Sequence, residues 1–161
     1  MTDSEFESYA RRYSDTIFRV ALNILKNKED SEDALQNTLI RFYKSSHKLS
    51  GEEHIKAWLI RVAQNEAKRI FRKNRRCDTS SLGEWVGEAF SDDLEKKELF
   101  LSLMSLDEKY STALYLHYYE GYKTEEIAKM TSASPSTVRS RLSRGRELLK
   151  NLLSEDDYES D

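Results

Sequence analysis

Apolar side chains recur at three- and four-residue intervals along most of this chain, the period of helices that bury one face. Over residues 5–26 the stripe is Phe6, Tyr9, Tyr13, Ile17, Ala21 and Leu25, widened by Phe18, Leu22 and Ile24. Asn27-Lys28-Glu29-Asp30 reads as a short break. A second helix resumes near Ser31, with Ala34, Leu35, Thr38, Leu39, Phe42 and Tyr43 on its inner face. Residues 45–53 hold Ser-Ser and Leu-Ser-Gly without a period, which reads as a loop. A third helix over residues 54–75 would bury Ile55, Trp58, Leu59, Val62, Ala63, Ile70 and Phe71. Residues 1–76 therefore predict a three- to four-helix bundle.

The pattern fails over residues 77–94, where Asp78-Thr79-Ser80-Ser81, Gly83, Gly87 and Ser91-Asp92-Asp93 suggest a flexible linker. Trp85, Val86 and Phe90 are unusually apolar for one, and suit a segment lying on a partner or on the flanking domains. Helical spacing returns over residues 95–153. Leu99, Phe100, Leu103 and Leu106 form one face, and Asp107 is placed to cap the next helix. That helix carries Tyr110, Ala113, Leu114, Leu116, His117 and Tyr118 and ends at Gly121. A short helix spans residues 124–130. Ser134-Pro135, a cap followed by proline at the first helical position, starts a last helix reaching about Leu153.

Composition agrees with an all-α fold of two small domains. Proline occurs once and glycine five times, too few turn residues for a β-sandwich, while charged residues make up 34%. No apolar run nears the roughly 18 residues of a membrane span, and the acidic start, Asp3 and Glu5, is not that of a signal peptide. Cys77 has no second cysteine to bond and no companions for zinc, so it reads as an exposed linker thiol beside Arg75 and Arg76. The chain reads as cytoplasmic, with no direct membrane insertion.

A net charge of −3 argues at first against nucleic acid, but the charges are segregated. Lys56, Arg61, Lys68, Arg69, Arg72, Lys73, Arg75 and Arg76 face a single acid in that stretch, Glu66. Arg139, Arg141, Arg144, Arg146 and Lys150 face only Glu147. Acids gather at residues 29–33, 84–98 and in the tail, residues 154–161, whose composition is that of a solubilising, disordered segment. Phosphate backbones would be drawn to the two basic segments.

Residues 124–146 fit a helix-turn-helix. Ala128 is small enough for a close helix crossing, Ser132 sits in the turn where glycine is commoner, and Val138 follows Ala128 by ten residues. In the last helix Val138, Leu142, Gly145 and Leu149 face inward. Arg139, Ser140, Ser143 and Arg144 share another side suited to a major groove, where arginine can donate twice to guanine. Arg141 and Arg146 suit the flanking phosphates, as do the amides behind Pro135, and Thr137 is a further candidate DNA contact of the same helix.

The N-terminal half points to more than a lone DNA reader. Glu32-Asp33-Ala34-Leu35-Gln36-Asn37-Thr38-Leu39-Ile40-Arg41 resembles the polymerase-binding helix of sigma factors. Ala57-Trp58-Leu59-Ile60-Arg61-Val62-Ala63-Gln64-Asn65-Glu66-Ala67-Lys68 resembles the promoter-melting helix of their extracytoplasmic-function group. Glu120-Gly121-Tyr122-Lys123-Thr124-Glu125-Glu126-Ile127-Ala128 and Ser136-Thr137-Val138-Arg139-Ser140-Arg141-Leu142-Ser143-Arg144-Gly145-Arg146 resemble that group's upstream-element reader. The motifs occur in the family's order and span most of residues 5–153.

The resemblance implies sigma region 2 at residues 1–76 and sigma region 4 at 95–153. Asp33 and Gln36 match positions that contact the clamp helices of core RNA polymerase, with Leu39 and Phe42 flanking them. Asn37 falls at a position of the same set usually held by glutamate, which removes one anionic contact. Asn65 matches the position that helps hold a flipped base of the −10 element, with the preceding loop, including Ser50, Gly51 and His54, shaping the pocket. Arg61, Lys68 and Arg69, with Arg72 beyond them, would track the single strand. Asp107 replaces a frequent proline at little cost. Promoter DNA and core polymerase are the implied partners, and relatives are commonly held by an anti-sigma protein.

An enzyme is not expected. His47, His54 and His117 are scattered without metal spacing, there is no Gly-rich phosphate loop, and no cofactor is called for. The rival reading is a stand-alone helix-turn-helix regulator, which would leave Asp33, Gln36 and Asn65 unexplained and lacks a visible dimerisation segment.

Overall fold

The computed structural model describes residues 1–74 and 94–159, with side chains at 1–74 and 95–154. Cys77, Trp85, Phe90 and most of the expected linker lie outside the described residues. The chain divides into two compact units, Met1–Trp85 and Val86–Asp161.

In the first unit α1 (Asp3–Leu25), α2 (Lys28–Ser45) and α3 (Glu52–Asn74) each pack on the other two, and a 3-10 turn (Ser46–Lys48) follows α2. The α1 capping box is formed by Thr2 and Glu5, whose side chains and backbone amides bond reciprocally at 2.9 and 3.1 Å. The break after α1 is shorter than the sequence suggests. Lys26 turns left-handed, and the Asn27 side chain accepts from the Asp30 amide at 2.9 Å, so Lys28-Glu29-Asp30 are already helix. Glu29 and Asp30 then sit in a first turn, where the helix dipole favours acids.

The core of this unit joins Ile17, Leu22 and Leu25 to Ile55, Leu59 and Ile60, all fully buried. Phe42 is also fully buried, its ring against Phe6, Tyr9 and Trp58. Two residues expected inside are not: Tyr43 is 58% and Phe71 38% exposed. The aromatic packing around Phe42 sets the rotation of α2, and Tyr43, next along, is carried outward to meet Phe6 edge-on.

In the second unit α4 (Leu94–Met104) packs on α5 (Glu108–Tyr118), which packs on α6 (Thr124–Thr131) and α7 (Pro135–Glu159). Phe100, Leu103, Leu114, Tyr115, Leu116, Ile127 and Val138 fill its core. Tyr118, expected inside, is 56% exposed. The α7 backbone continues to Glu159, so the tail begins as helix rather than at Leu153. Asp107 stands at the N-cap of α5, but its backbone carbonyl, not its side chain, accepts from Tyr110 and Ser111.

Ser132 ends α6 at φ 54° and ψ 43°, its neighbour Ala133 donating back to the Ala128 carbonyl. A left-handed conformation costs a non-glycine residue about 1–2 kcal/mol. Ser132→Gly is therefore expected to raise the stability of this unit by about 1 kcal/mol in a denaturant titration. An unchanged or lower midpoint would show that the serine carries no strain.

Candidate nucleic-acid interface

The start of α7 is fixed by Ser134, whose hydroxyl accepts from the Thr137 amide at 3.2 Å while its carbonyl accepts from Val138. From there the helix divides by period. Val138, Leu142 and Gly145 are buried; Thr137, Arg139, Ser140, Ser143, Arg144 and Arg146 are exposed, and Arg141 is half-buried. Thr137, Ser140, Arg141 and Arg144 line one groove with Ser136 and with Lys109 and Tyr110 of α5. Arg141 thus belongs with the groove side chains, whereas Arg139 lies outside it. Lys109 and Tyr110 were not expected there. Gly145 faces α5 at this crossing: a Cβ built on it would stand 2.9 Å from Leu114 Cδ1 and 3.4 Å from the Tyr110 Cβ.

Two arginines of α7 hold surface partners. Arg144 pairs with Glu147 at 3.2 Å, both about half exposed or more, and such a pair is worth at most about 1 kcal/mol. Arg146 donates to the Tyr118 hydroxyl at 3.2 Å, which explains the outward turn of that tyrosine.

In the first unit Ser50, Gly51, His54, Arg61, Asn65, Lys68 and Arg69 are all exposed. Gly51 has φ +85°, where a side chain would be strained. Beside it, Glu52 ties the loop to α1. The Tyr13 hydroxyl donates to Glu52 Oε1 at 2.7 Å, and Arg12 pairs with the same oxygen. Burial first, then the bond to Glu52, pushes the Tyr13 phenol up to about 12. The bonds from Tyr13 and then Arg12 hold the Glu52 carboxyl below its ordinary range.

A lowered carboxyl value makes the tie complete above the unfolded value and loses it as pH falls through the folded one. The raised phenol value makes Tyr13's share complete below its ordinary value of 10.0 and loses it as pH rises through about 12. Tyr13→Phe should therefore lower the exchange protection factor of the Ile55 amide, which bonds the Gly51 carbonyl, by up to about tenfold at neutral pH, and acid should lower the same factor in the wild type once intrinsic exchange is divided out. Equal exchange in the two proteins would mean the tie does not hold the loop.

Asp33 and Gln36 are exposed on α2, and Asn37 and Leu39 are half-buried. Phe42 departs from expectation: fully buried, it offers no surface to a partner. The apolar surface on that side comes instead from Ile40, 48% exposed, and Tyr43, which share a groove with Phe6, Gln36, Leu39 and Lys44. Asn37 turns toward α3, its amide 3.5 Å from Glu66 Oε2.

Glu66, the lone acid of a basic stretch, has a role that the sequence does not show. It is 3% exposed, with Arg41 Nε at 2.6 Å and Arg69 Nη2 at 2.7 Å. Its spacing of three from Arg69 was visible in the sequence; its burial against Arg41 was not. Among the described residues no cluster of three or more His, Cys, Asp or Glu is placed to hold a metal, and no helix is long and apolar enough to cross a membrane.

A helical unit with a basic, loop-flanked α3 and a second unit presenting a helix-turn-helix give the chain the architecture of a transcription initiation factor. Sigma-70 region 2 matches residues 9–77, and sigma-70 region 4 matches residues 96–149. The extracytoplasmic-function sigma factor SigM of Bacillus subtilis is 30% identical over 87% of this chain and 90% of its own length. RNA polymerase sigma factor SigV of the same organism is 27% identical over 87% of this chain and 86% of its own. The sigma factor RpoE from Bartonella quintana, solved with the anti-sigma factor NepR, shares the fold with a TM-score of 0.71 and 21% identity, over 93% of this chain and 97% of its own. CnrH, solved with the cytosolic domain of CnrY, does so at 0.70 and 19%, over 96% and 91%. The chain belongs to the extracytoplasmic-function group of RNA polymerase sigma factors and directs the polymerase to promoters.

Proposed function

We propose that residues 1–76 dock on core RNA polymerase and capture the non-template strand of the −10 element, while residues 95–153 read the −35 element as duplex. Asp33 and Gln36 present polar contacts to the polymerase, with Asn37 and Leu39 at the edge of the patch and Ile40 and Tyr43 adding apolar area. Asn65 offers a donor and an acceptor to a flipped base, beside the loop of Ser50, Gly51 and His54. Arg61, Lys68 and Arg69 follow the strand's phosphates.

Upstream, Ser140 and Arg144 reach base edges from α7. Thr137 and Arg141 lie in the same groove, and Arg139, Ser143 and Arg146 border it. The carrying observation is the division of α7: Val138, Leu142 and Gly145 are buried, and the polar groove lies on another side. Two contacts of modest strength on one assembled enzyme reinforce each other through effective concentration. The chain itself makes and breaks no covalent bond, works in the cytoplasm, and is held between uses by an anti-sigma protein, as RpoE from Bartonella quintana is found with NepR.

The test is run-off transcription with purified bacterial core polymerase on pooled promoter fragments that core alone does not transcribe. Discrete starts appearing only with this protein are expected, and Asn65→Ala should lower their yield by about tenfold through the −10 element. No transcripts and no binding to core, together with tight duplex binding by the protein alone, would favour a stand-alone regulator instead.

A further inference from the structure

Carboxylates are almost never buried unless they are paired. Glu66 is buried at the middle of the helix that carries Asn65, and its two oxygens serve different elements. Oε1 pairs with Arg41 Nε of α2 at 2.6 Å. Oε2 accepts from Arg69 Nη2 at 2.7 Å and Nε at 3.2 Å, one turn further along α3. Asn37 of α2 stands 3.5 Å from the same oxygen. Arg41 and Arg69 themselves keep 61% and 52% of their side chains accessible.

The carboxylate is therefore the hidden centre of a network whose arms reach two working surfaces. Asn37 and Arg41 continue the helical face begun by Asp33, at intervals of four. Arg69 follows Asn65 by four residues, one turn along α3, and lines a groove with Asp33, Asn37 and Lys73.

We propose that Glu66 is a positioning residue for capture of the unpaired −10 strand. Resting on the reading above, it holds the Arg69 guanidinium in one orientation, one helical turn beyond Asn65, and locks α3 in register with the polymerase-docking helix α2. A guanidinium held in advance loses less freedom on meeting a phosphate than a swinging one. The lock to α2 means that docking on the polymerase also places the strand-reading face.

Glutamine is the discriminating replacement. It keeps the shape of Glu66 but offers one oxygen where two arginines need acceptors, and turns an NH2 group toward the other. The experiment uses holoenzyme assembled from core polymerase and the full chain. Its probe is a single-stranded oligonucleotide carrying the non-template −10 segment of a promoter found by run-off transcription, read by fluorescence anisotropy. Wild type, Glu66→Gln, Arg69→Ala, their double variant and Asn65→Ala are compared, with thermal melting and core affinity measured for each.

Glu66→Gln is expected to weaken oligonucleotide binding about tenfold while core affinity stays within about twofold. Arg69→Ala should cost much less in the Glu66→Gln background than in the wild type, because its orientation is already lost. Equal costs in both backgrounds, or a loss of binding only in parallel with a lowered melting temperature and lowered core affinity, would overturn the positioning role. If Asn65→Ala weakens binding and the Glu66 and Arg69 variants do not, the inference fails and the −10 reading stands. If Asn65→Ala also binds as wild type does, both fall.

Discussion

Arg144→Ala is expected to cut transcription from promoters that depend on an upstream element by about 10- to 100-fold, with start sites unchanged. The size follows from the contact: a good arginine–guanine pair discriminates by about 1–3 kcal/mol. Arg144 lines the groove with Thr137, Ser140 and Arg141, and pairs with Glu147 one turn along the same helix. Breaking that exposed pair costs little, so the loss reports on DNA and not on folding. Two controls separate the causes. Arg144→Lys keeps the charge but not the fork, and should recover non-specific binding without recovering preference for the upstream sequence. A template with its downstream element already unpaired should depend less on Arg144, because strand capture by the first unit then carries more of the binding. Equal losses on templates with and without the upstream element would remove Arg144 from sequence reading.

The buried face of α7 was legible in the sequence because it needs only the helical period and one cap; the groove side was legible only in part, since Arg141 joins Ser140 and Arg144 there and Arg139 does not. Ser134-Pro135 marks the start, and Val138, Leu142 and Gly145 fall at intervals of four and three from there. The same reasoning failed by one residue on α2. Phe42, Tyr43 and Leu39 are all apolar, so periodicity leaves the rotation of the helix open by about 100° per residue. Contacts with Phe6, Tyr9 and Trp58, distant in sequence, decide that Phe42 goes in and Tyr43 out. Glu66 was missed for a related reason. A lone acid among bases reads as a solvated charge until Arg41, 25 residues earlier, is seen to close over it. Start points of helices were legible to within a few residues, and Asn27 shows why not better: an asparagine followed by charges describes a break and a capped first turn equally well.

Gly145→Leu is expected to unfold the second unit preferentially, although the substitution adds an apolar group to an apolar face. A Cβ at this position would lie 2.9 Å from Leu114 Cδ1 and 3.2 Å from its Cγ. Leu114 is itself 1% exposed, enclosed in the core, and has little room to withdraw. Alanine at 145 gains about 1 kcal/mol in helix propensity over glycine, which offsets much of the strain of one methyl group. Leucine brings the same Cβ clash with three further carbons behind it, and overpacking of this kind costs about 1–3 kcal/mol. In a domain of this size that lowers the melting temperature by roughly 5–20 °C. Forcing α5 and α7 apart also separates Lys109 and Tyr110 from Thr137, Ser140 and Arg144, so upstream recognition should fall even below the melting point. Amide exchange measured along the full chain checks both points. Protection should drop in α5 and α7 and remain unchanged in α1, α2 and α3, and Gly145→Ala should lie near wild type. A leucine variant with wild-type protection throughout would mean that Leu114 yields without cost, and that the close approach of α5 and α7 does not depend on the missing side chain.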